Sequence, residues 1–354
     1  MRVLVATCAH RGDDARIVQR QAIALTDAGH EVVLVAPGPT PPGPIVHVVV
    51  PRARGRRRLR SWLAVTREVR RHRDASVLII HDLELLVPLA LVRRLPPLVV
   101  DIHEDLAASV TDRAWLPRPV RRLAAFAVNR LESRAARIGT VIAAEHSYRD
   151  RLGDVPVVPN STPVPATCRV REAGGRRVVY VGRISRSRGW DEILACARRL
   201  GDRAEFHLWG EPDADVHDEV MRASESGAVT WHGYVDNRAA LAAVEGAAVG
   251  LSLLTDLPNY RRSMPTKVAE YLARGVPVVA SDLPATRAVL DASGAGILVT
   301  PGDVEAACSA ITALLDYERL AGDMARRGRE HARAHLDWNR DAVSFIGIVA
   351  AAAR

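Results

Sequence analysis

Short runs of aliphatic and β-branched residues recur along the chain at Val3–Ala6, Val32–Val35, Val46–Val50, Val77–Ile80, Leu98–Ile102 and Thr140–Ala143. Amphipathic segments such as Ile17–Ala28 and Leu83–Val92 fall between them. Continuous apolar strands alternating with helices predict a parallel sheet covered on both faces. The pattern breaks at Val155–Pro165, where four prolines in eleven residues support neither a helix nor a central strand, so this stretch predicts an interdomain linker. A second series follows at Val178–Val181, Glu205–Leu208, Val229–Trp231, Val249–Leu251, Val278–Ala280 and Gly296–Val299. Long helical stretches, Val304–His331 and Trp338–Ala352, close the chain. The expected fold class is α/β, with two Rossmann-like, doubly wound domains facing each other across a central cleft, residues 1–160 and 161–337.

Length agrees, since 354 residues suit two domains. With 48% hydrophobic and 25% charged residues, the chain reads as an ordinary globular protein. Of its 49 Lys+Arg all but one are arginine, and the exception is Lys267. Against 41 Asp+Glu this leaves a net charge of +8, which points to an anionic partner without naming it. Aromatics are scarce at 4% and no reading motif occurs, so no nucleic acid is expected. The cysteines, Cys8, Cys168, Cys196 and Cys308, are dispersed, which excludes a zinc module and speaks against a disulfide framework. The N-terminus enters a strand-like run at once without a signal-peptide pattern, and no stretch of ~20 apolar residues occurs. The chain reads as cytoplasmic.

Several chemistries are missing. The loop after Val3–Ala6 has no G-x-G-x-x-G, and neither G-x-x-x-x-G-K-[ST] nor G-x-S-x-G occurs. The strongest segment is Ser263–Asp282. Ser263 serves as a cap, Pro265 suits the first helical turn, and Gly275 the helix stop. The first-turn amides, with Thr266 among them, would form an anion site beside Lys267. Glu270 shares the face of Lys267. A cation for phosphate and a carboxylate for ribose hydroxyls fit a nucleoside diphosphate; the alternative is a solvated salt bridge. A second segment, Val178–Trp190, runs from a strand into Gly182 and a basic loop, a phosphate-facing turn in which Arg183 and Arg188 can each grip phosphate oxygens. Its alternative is a basic surface loop.

Seven pieces together carry a family resemblance: Asp14–Ile17, Asp27–Val32, His81–Leu83, Val100–Asp105, Val158–Asn160, Val181–Arg183 and Pro265–Tyr271. The chain resembles the retaining GT-B glycosyltransferases of glycosyltransferase family 4 over nearly its whole length. The resemblance implies transfer of a hexose or hexosamine-type sugar from a nucleoside-diphosphate donor, UDP- or GDP-linked, to an acceptor hydroxyl with retention. It implies no metal, no protein nucleophile and no other cofactor. Arg183 and Lys267 would hold the pyrophosphate and Glu270 the ribose, with Gly182, Arg188, Ser263, Pro265 and Thr266 around them. Arg188 replaces a lysine usual in the family. Backbone around Tyr234 and Val235 would meet the base, and His103 would stand beside the transferring sugar. Gly12, Asp14, His81, Asp82 and Glu104 would lie on the acceptor side. The helix at residues 338–354 would pack back on the first domain. One departure stands out: Arg262 occupies a position where many members carry a glutamate that contacts the donor sugar.

From the residues alone, His103 has a second reading as a core histidine, and His81-Asp82 as the cap of the helix near Leu83. The run Arg52–Leu63 reads as a solvated loop, as recognition of a phosphorylated acceptor, or as docking to an anionic inner membrane face with Trp62 and Leu63 inserting. The resemblance leaves two acceptor classes open, an envelope polysaccharide or glycolipid and a specialised metabolite. The rivals are an epimerase or phosphorylase on the same scaffold and a basic nucleic-acid-binding protein.

Overall fold

The computed structural model describes every residue except Arg54, Arg56, Arg57 and residues 104–117, and for Arg118 only the backbone. The chain divides into two compact units, Met1–Asn160 with Trp338–Arg354, and Ser161–Asp337.

The first unit is built on β1 (Arg2–Ala6), β2 (Glu31–Ala36), β3 (Val46–Val49), β4 (Val77–Ile80), β5 (Leu98–Ile102) and β6 (Thr140–Ala143). All pair in parallel in the order β3-β2-β1-β4-β5-β6. The inner strands are apolar through most of their length because both faces are covered, whereas β3 at the edge keeps His47 and is exposed at Val46 and Val49. Leu4, Val33, Leu78 and Val100 point to one face, where they meet Val65 and Val69 of helix Arg58–Arg71 and Ala135 of helix Arg118–Ile138. Val3, Val32, Val77 and Val99 point to the other, against Ile17, Leu25, Trp338, Phe345 and Val349. The last three belong to helix Trp338–Ala352, which is therefore part of this unit's core.

The second unit carries β7 (Arg177–Val181), β8 (Glu205–Trp209), β9 (Thr230–Trp231), β10 (Val249–Ser252), β11 (Val278–Ser281) and β12 (Gly296–Val299), ordered β12-β11-β10-β7-β8-β9. Counted from its own first strand, this is the same doubly wound order. In each unit the strand order reverses between the first and fourth strands, β1/β4 and β7/β10. Ligands of open α/β sheets bind outside the strand C-termini at this point.

Three predicted helices differ in detail. Ile17–Ala28 begins as a wide π-type turn, Ile17–Ala22, before helix Ile23–Asp27. Leu83–Val92 is a 3-10 turn, Leu83–Leu85, and a short helix, Leu86–Leu89, in which Pro88 supplies no N–H for an unbroken α-helix. Val304–His331 is two helices, Val304–Asp316 and Glu318–His335, separated at Tyr317 (φ −103°, ψ 74°). The break lets Ile311 and Leu314 pack on one face of the second sheet while Ala332 joins the core on the other. Within the proline-rich linker, Val158 N–H donates to Ala143 O (2.8 Å), so part of that run extends the edge of the first sheet. All four cysteines are free; Cys196 and Cys308 sit with sulfurs 3.2 Å apart in the second unit's core.

Candidate functional site

In the second unit the chain leaves β7 at Gly182, whose φ of +127° is a backbone shape that favours glycine. Gly210, after β8, packs so closely that a Cβ there would lie 2.0 Å from Gly182 O. The loop from β7 turns through Arg186–Arg188 to Gly189, where a Cβ would meet Leu253 O at 2.0 Å. Ser187 O accepts from both Thr255 N–H (3.1 Å) and Thr255 Oγ1 (3.2 Å). The loops leaving β7 and β10 are thus locked together at the switch point.

Helix Thr266–Ala273 starts at this place. Its N-cap is Pro265, with no side-chain cap, so the predicted start is one residue early and Ser263 is not the cap. Ser263 instead ends the short helix Pro258–Arg262. From Lys267 onward the helix is buried. Among the described residues Lys267 Nζ has no hydrogen-bond partner; it lies 3.7 Å from the centroid of the Tyr180 ring, and a Cβ on Gly182 would stand 3.6 Å from it. Burial, reinforced by the charge of Arg188 and opposed by Glu270, holds its ammonium well below the ordinary lysine range. Lys267 and Glu270 are both buried, which overturns the solvated salt bridge.

Glu270 Oε1 accepts from Asn237 Nδ2 (3.0 Å). Asn237 opens helix Asn237–Val244, capped by Asp236, directly after Tyr234 and Val235. The segment expected near the base is therefore tied to the residue expected on the ribose. Tyr234 is exposed and Val235 half-buried. Arg183 is solvent-facing and ion-paired with Asp213, and its carbonyl accepts from Tyr180 OH (2.6 Å). Arg262 is exposed at the end of its short helix.

In the first unit, Asp82 stands at the N-cap of Leu83–Leu85 without capping it. Its Oδ2 accepts from Thr7 Oγ1 (2.7 Å), Cys8 N–H (2.6 Å) and Ala9 N–H (3.1 Å), holding the loop after β1. Asp14 Oδ1 accepts from the N–H groups of Arg16 and Ile17, each at 2.9 Å. Gly12 is explained by packing, because a Cβ there would lie 2.2 Å from Pro39 O. His103 is half-buried, with Nδ1 3.3 Å from Asp101 O. Burial lowers its pKa, with His10, Arg16 and His81 pushing the same way against Asp101. Glu104 lies outside the described residues.

A buried network missed from sequence underlies these groups. Arg16 Nε and Nη2 donate to Asp101 (2.9 and 2.8 Å), Gln21 Nε2 adds a third donor (2.7 Å), and His81 Nδ1 lies 3.3 Å away. Arg16 also reaches Val158 O and Asn160 Oδ1, both at 2.9 Å. One signal was present: Asp101 is a carboxylate inside an otherwise apolar strand. His81, Asp101 and His103 bring potential ligand atoms within 4.8 Å of one another, but the Arg16 guanidinium already takes both Asp101 oxygens, so the set suits an ion pair and not a metal.

Two family models match in succession, "Glycosyl transferase 4-like domain" over residues 15–165 and "Glycosyl transferases group 1" over residues 175–317. The chain belongs to the group 1 glycosyltransferases. A phosphatidyl-myo-inositol mannosyltransferase of Mycolicibacterium smegmatis is 28% identical over 349 residues, covering 91% of this chain and 86% of that protein. In fold, the glycosyltransferase is similar to a sucrose-phosphate synthase from Thermosynechococcus elongatus (TM-score 0.74, 19% identity, 98% and 97% covered). It is also similar to Anabaena HepE in complex with UDP-glucose (TM-score 0.72, 13% identity, 99% and 100% covered). These solved neighbours establish the GT-B fold, and the family sets glycosyl transfer above the epimerase, phosphorylase and nucleic-acid alternatives.

Of the run Arg52–Leu63, Arg54, Arg56 and Arg57 lie outside the described residues. Leu59 and Leu63 are 65% and 70% exposed. Trp62 turns inward, donating from Nε1 to Glu84 (3.1 Å) and packing on the core, so it is not poised to insert. Among the described residues no helix is long and apolar enough to cross a membrane.

Proposed function

We propose that this glycosyltransferase moves a hexose or hexosamine-type sugar from a UDP- or GDP-linked donor to an acceptor hydroxyl, with retention and without a metal. The observation that carries this reading is Lys267. A buried ammonium without a hydrogen-bond partner among the described residues is costly, and a diphosphate at the β7/β10 switch point would supply the missing acceptors. Gly182 lets backbone approach that position, while Arg183 and Arg188 add cations on the same loop. Glu270 would take the ribose hydroxyls, and the segment Tyr234–Val235 the base. The UDP-glucose complex of HepE and the mannosyl transfer named for the mycobacterial relative support a nucleotide-sugar donor.

As the anomeric bond breaks, negative charge grows on the β-phosphate. Fixed cations stabilise that charge more than the ground state. The leaving phosphate then accepts the acceptor's proton on the same face, which gives retention. Asp14, Asp82 and His103 would face the acceptor beyond the C-terminal ends of β1, β4 and β5. Leu59 and Leu63, exposed beside arginines, support contact with an anionic bilayer holding a lipid-linked acceptor. Binding that is equal on neutral and phosphatidylglycerol vesicles would remove that contact from the proposal.

The deciding experiment is calorimetric titration with UDP and GDP in the presence of EDTA, followed by transfer assays with the corresponding sugars. Micromolar binding without metal and an NMR-detected product of unchanged anomeric configuration are expected. A metal requirement for turnover, or an inverted product, would overturn the mechanism.

A further inference from the structure

His10 follows β1 by four residues and sits between two carboxylates. Its Nδ1 lies 3.5 Å from Asp14 Oδ2 and its Nε2 3.4 Å from Asp82 Oδ1. Neither carboxylate can turn away, because the other oxygen of each is held by backbone N–H groups: Arg16 and Ile17 on Asp14, Cys8 and Ala9 on Asp82. One oxygen of each is thereby left facing the imidazole. A neutral imidazole carries one N–H and one lone pair, so it would donate to one carboxylate and oppose a lone pair to the other. Only the imidazolium donates to both. The same ring lies 4.9 Å from that of His103, which in turn packs edge-on against His81 at 5.8 Å.

We propose that His10, as an imidazolium, is a pH-dependent clamp that pins the loop after β1 to the end of β4 and fixes the stance of His103. It is a positioning residue, and its bearing on transfer rests on the reading of this end of the sheet as the acceptor side.

The surrounding charges are consistent with that role. On its own loop, Arg11 is paired with Asp13 (3.0 Å) and Asp14 faces His10 (3.5 Å). From β4 come Asp82 and His81; nearby Glu84 is paired with Arg58 (3.2 Å). From β5 come His103 and Asp101, the latter neutralised by Arg16. Arg52 donates to Ala9 O (3.1 Å) in the same loop. Burial alone would raise the Asp14 and Asp82 carboxyls, yet the His10 contact, with hydrogen bonds, leaves both lowered. The clamp is closed while His10 holds its second proton and opens as rising pH removes it.

The test uses the full-length protein with ¹⁵N-labelled histidine. Both His10 ring nitrogens should be protonated at neutral pH, and exchange protection of the Cys8 and Ala9 amides should fall in step with loss of the second proton. A His10 that carries one ring proton throughout the range around neutrality would overturn the clamp, whatever the enzyme transfers. In transfer assays His10→Gln should raise acceptor KM about tenfold and flatten the alkaline limb of kcat/KM, leaving UDP affinity intact. His10→Arg, charged at every pH, should restore the alkaline side. Unchanged pH profiles in both variants would dispose of the positioning role, whereas failure of the wild type to bind UDP would count against the donor site alone.

Discussion

The ammonium of Lys267 lies 3.7 Å from the centroid of the Tyr180 ring and makes no hydrogen bond among the described residues. Contact with the ring face offsets part of the burial cost, but not all of it, because the lysine is still held well below its ordinary range. The apoprotein therefore sacrifices stability at this position. Between the folded-state value and the ordinary ~10.4 of a lysine, the unfolded chain binds the extra proton, so stability rises with pH across that window. Lys267→Met removes the charge and should stabilise the apoprotein by about 1 kcal/mol near neutrality, a shift of a few degrees. It should also abolish the thermal shift produced by UDP or GDP. A variant that is less stable and still shifted by nucleotide would show that Lys267 serves packing and not the diphosphate.

The same pair predicts a proton count. A diphosphate beside Lys267 raises its pKa back toward the ordinary range, so binding must take up protons wherever the free lysine is partly neutral. Calorimetry in two buffers of different ionisation enthalpy, above the phosphate's own titration, should give positive proton uptake for the wild type. Lys267→Met should give none. Equal uptake in the two proteins would assign the proton to another group.

Tyr271 marks where β7 and β10 part. Their pairing ends at Val179 and Gly250, and beyond it the tyrosine hydroxyl accepts from Val181 N–H at 2.9 Å. A Cβ on Gly250 would come within 2.5 Å of the Tyr271 ring, so the glycine makes room for it. Tyr271→Phe leaves a buried N–H unpaired one residue before Gly182. The expected loss is about 1–3 kcal/mol in urea unfolding, with weaker UDP binding. A loss below a few tenths would mean that the amide finds another partner.

How much of this was readable in the chain depends on the range of the interaction. The strands were legible because burial on both faces forces every position of a segment such as Val77–Ile80 to be apolar, and that information is local. The helix Thr266–Ala273 was legible from Pro265 before it and Gly275 after it, and its one lysine, in a chain where every other such cation is arginine, marked it as a site. Tyr271 was not, since a tyrosine in an apolar helix reads as core until β10 is seen beside it. Arg16 and Asp101 are 85 residues apart, and Asn237 and Glu270 33, so nothing in their own neighbourhoods identifies the partner. The one-residue error at Pro265 has a local cause: its ψ of 119° is extended, so the proline precedes the helix it was expected to open.

Asp101 gives the sharpest test in the first unit. Its oxygens accept from Arg16 at 2.9 and 2.8 Å and from Gln21 at 2.7 Å, and the Arg16 and Asp101 side chains are 6% and 0% exposed. Burial would raise this carboxyl, but the Arg16 charge, together with His81, holds it well below the usual range. A depressed carboxylate contributes stability that is present above its unfolded value of about 3.9 and lost as pH falls toward the folded one. Asp101→Asn keeps the shape and leaves a buried guanidinium without its counter-charge, at a cost of about 3–5 kcal/mol. The variant should unfold earlier near neutrality and lose the acid-side slope of the wild type. Because Arg16 also binds Val158 O and Asn160, the loss should fall on the first unit's transition, while the UDP-induced shift of the second unit persists. A pH-independent loss of under 1 kcal/mol would mean that Gln21 and His81, and not the Arg16 charge, set the stability of this edge.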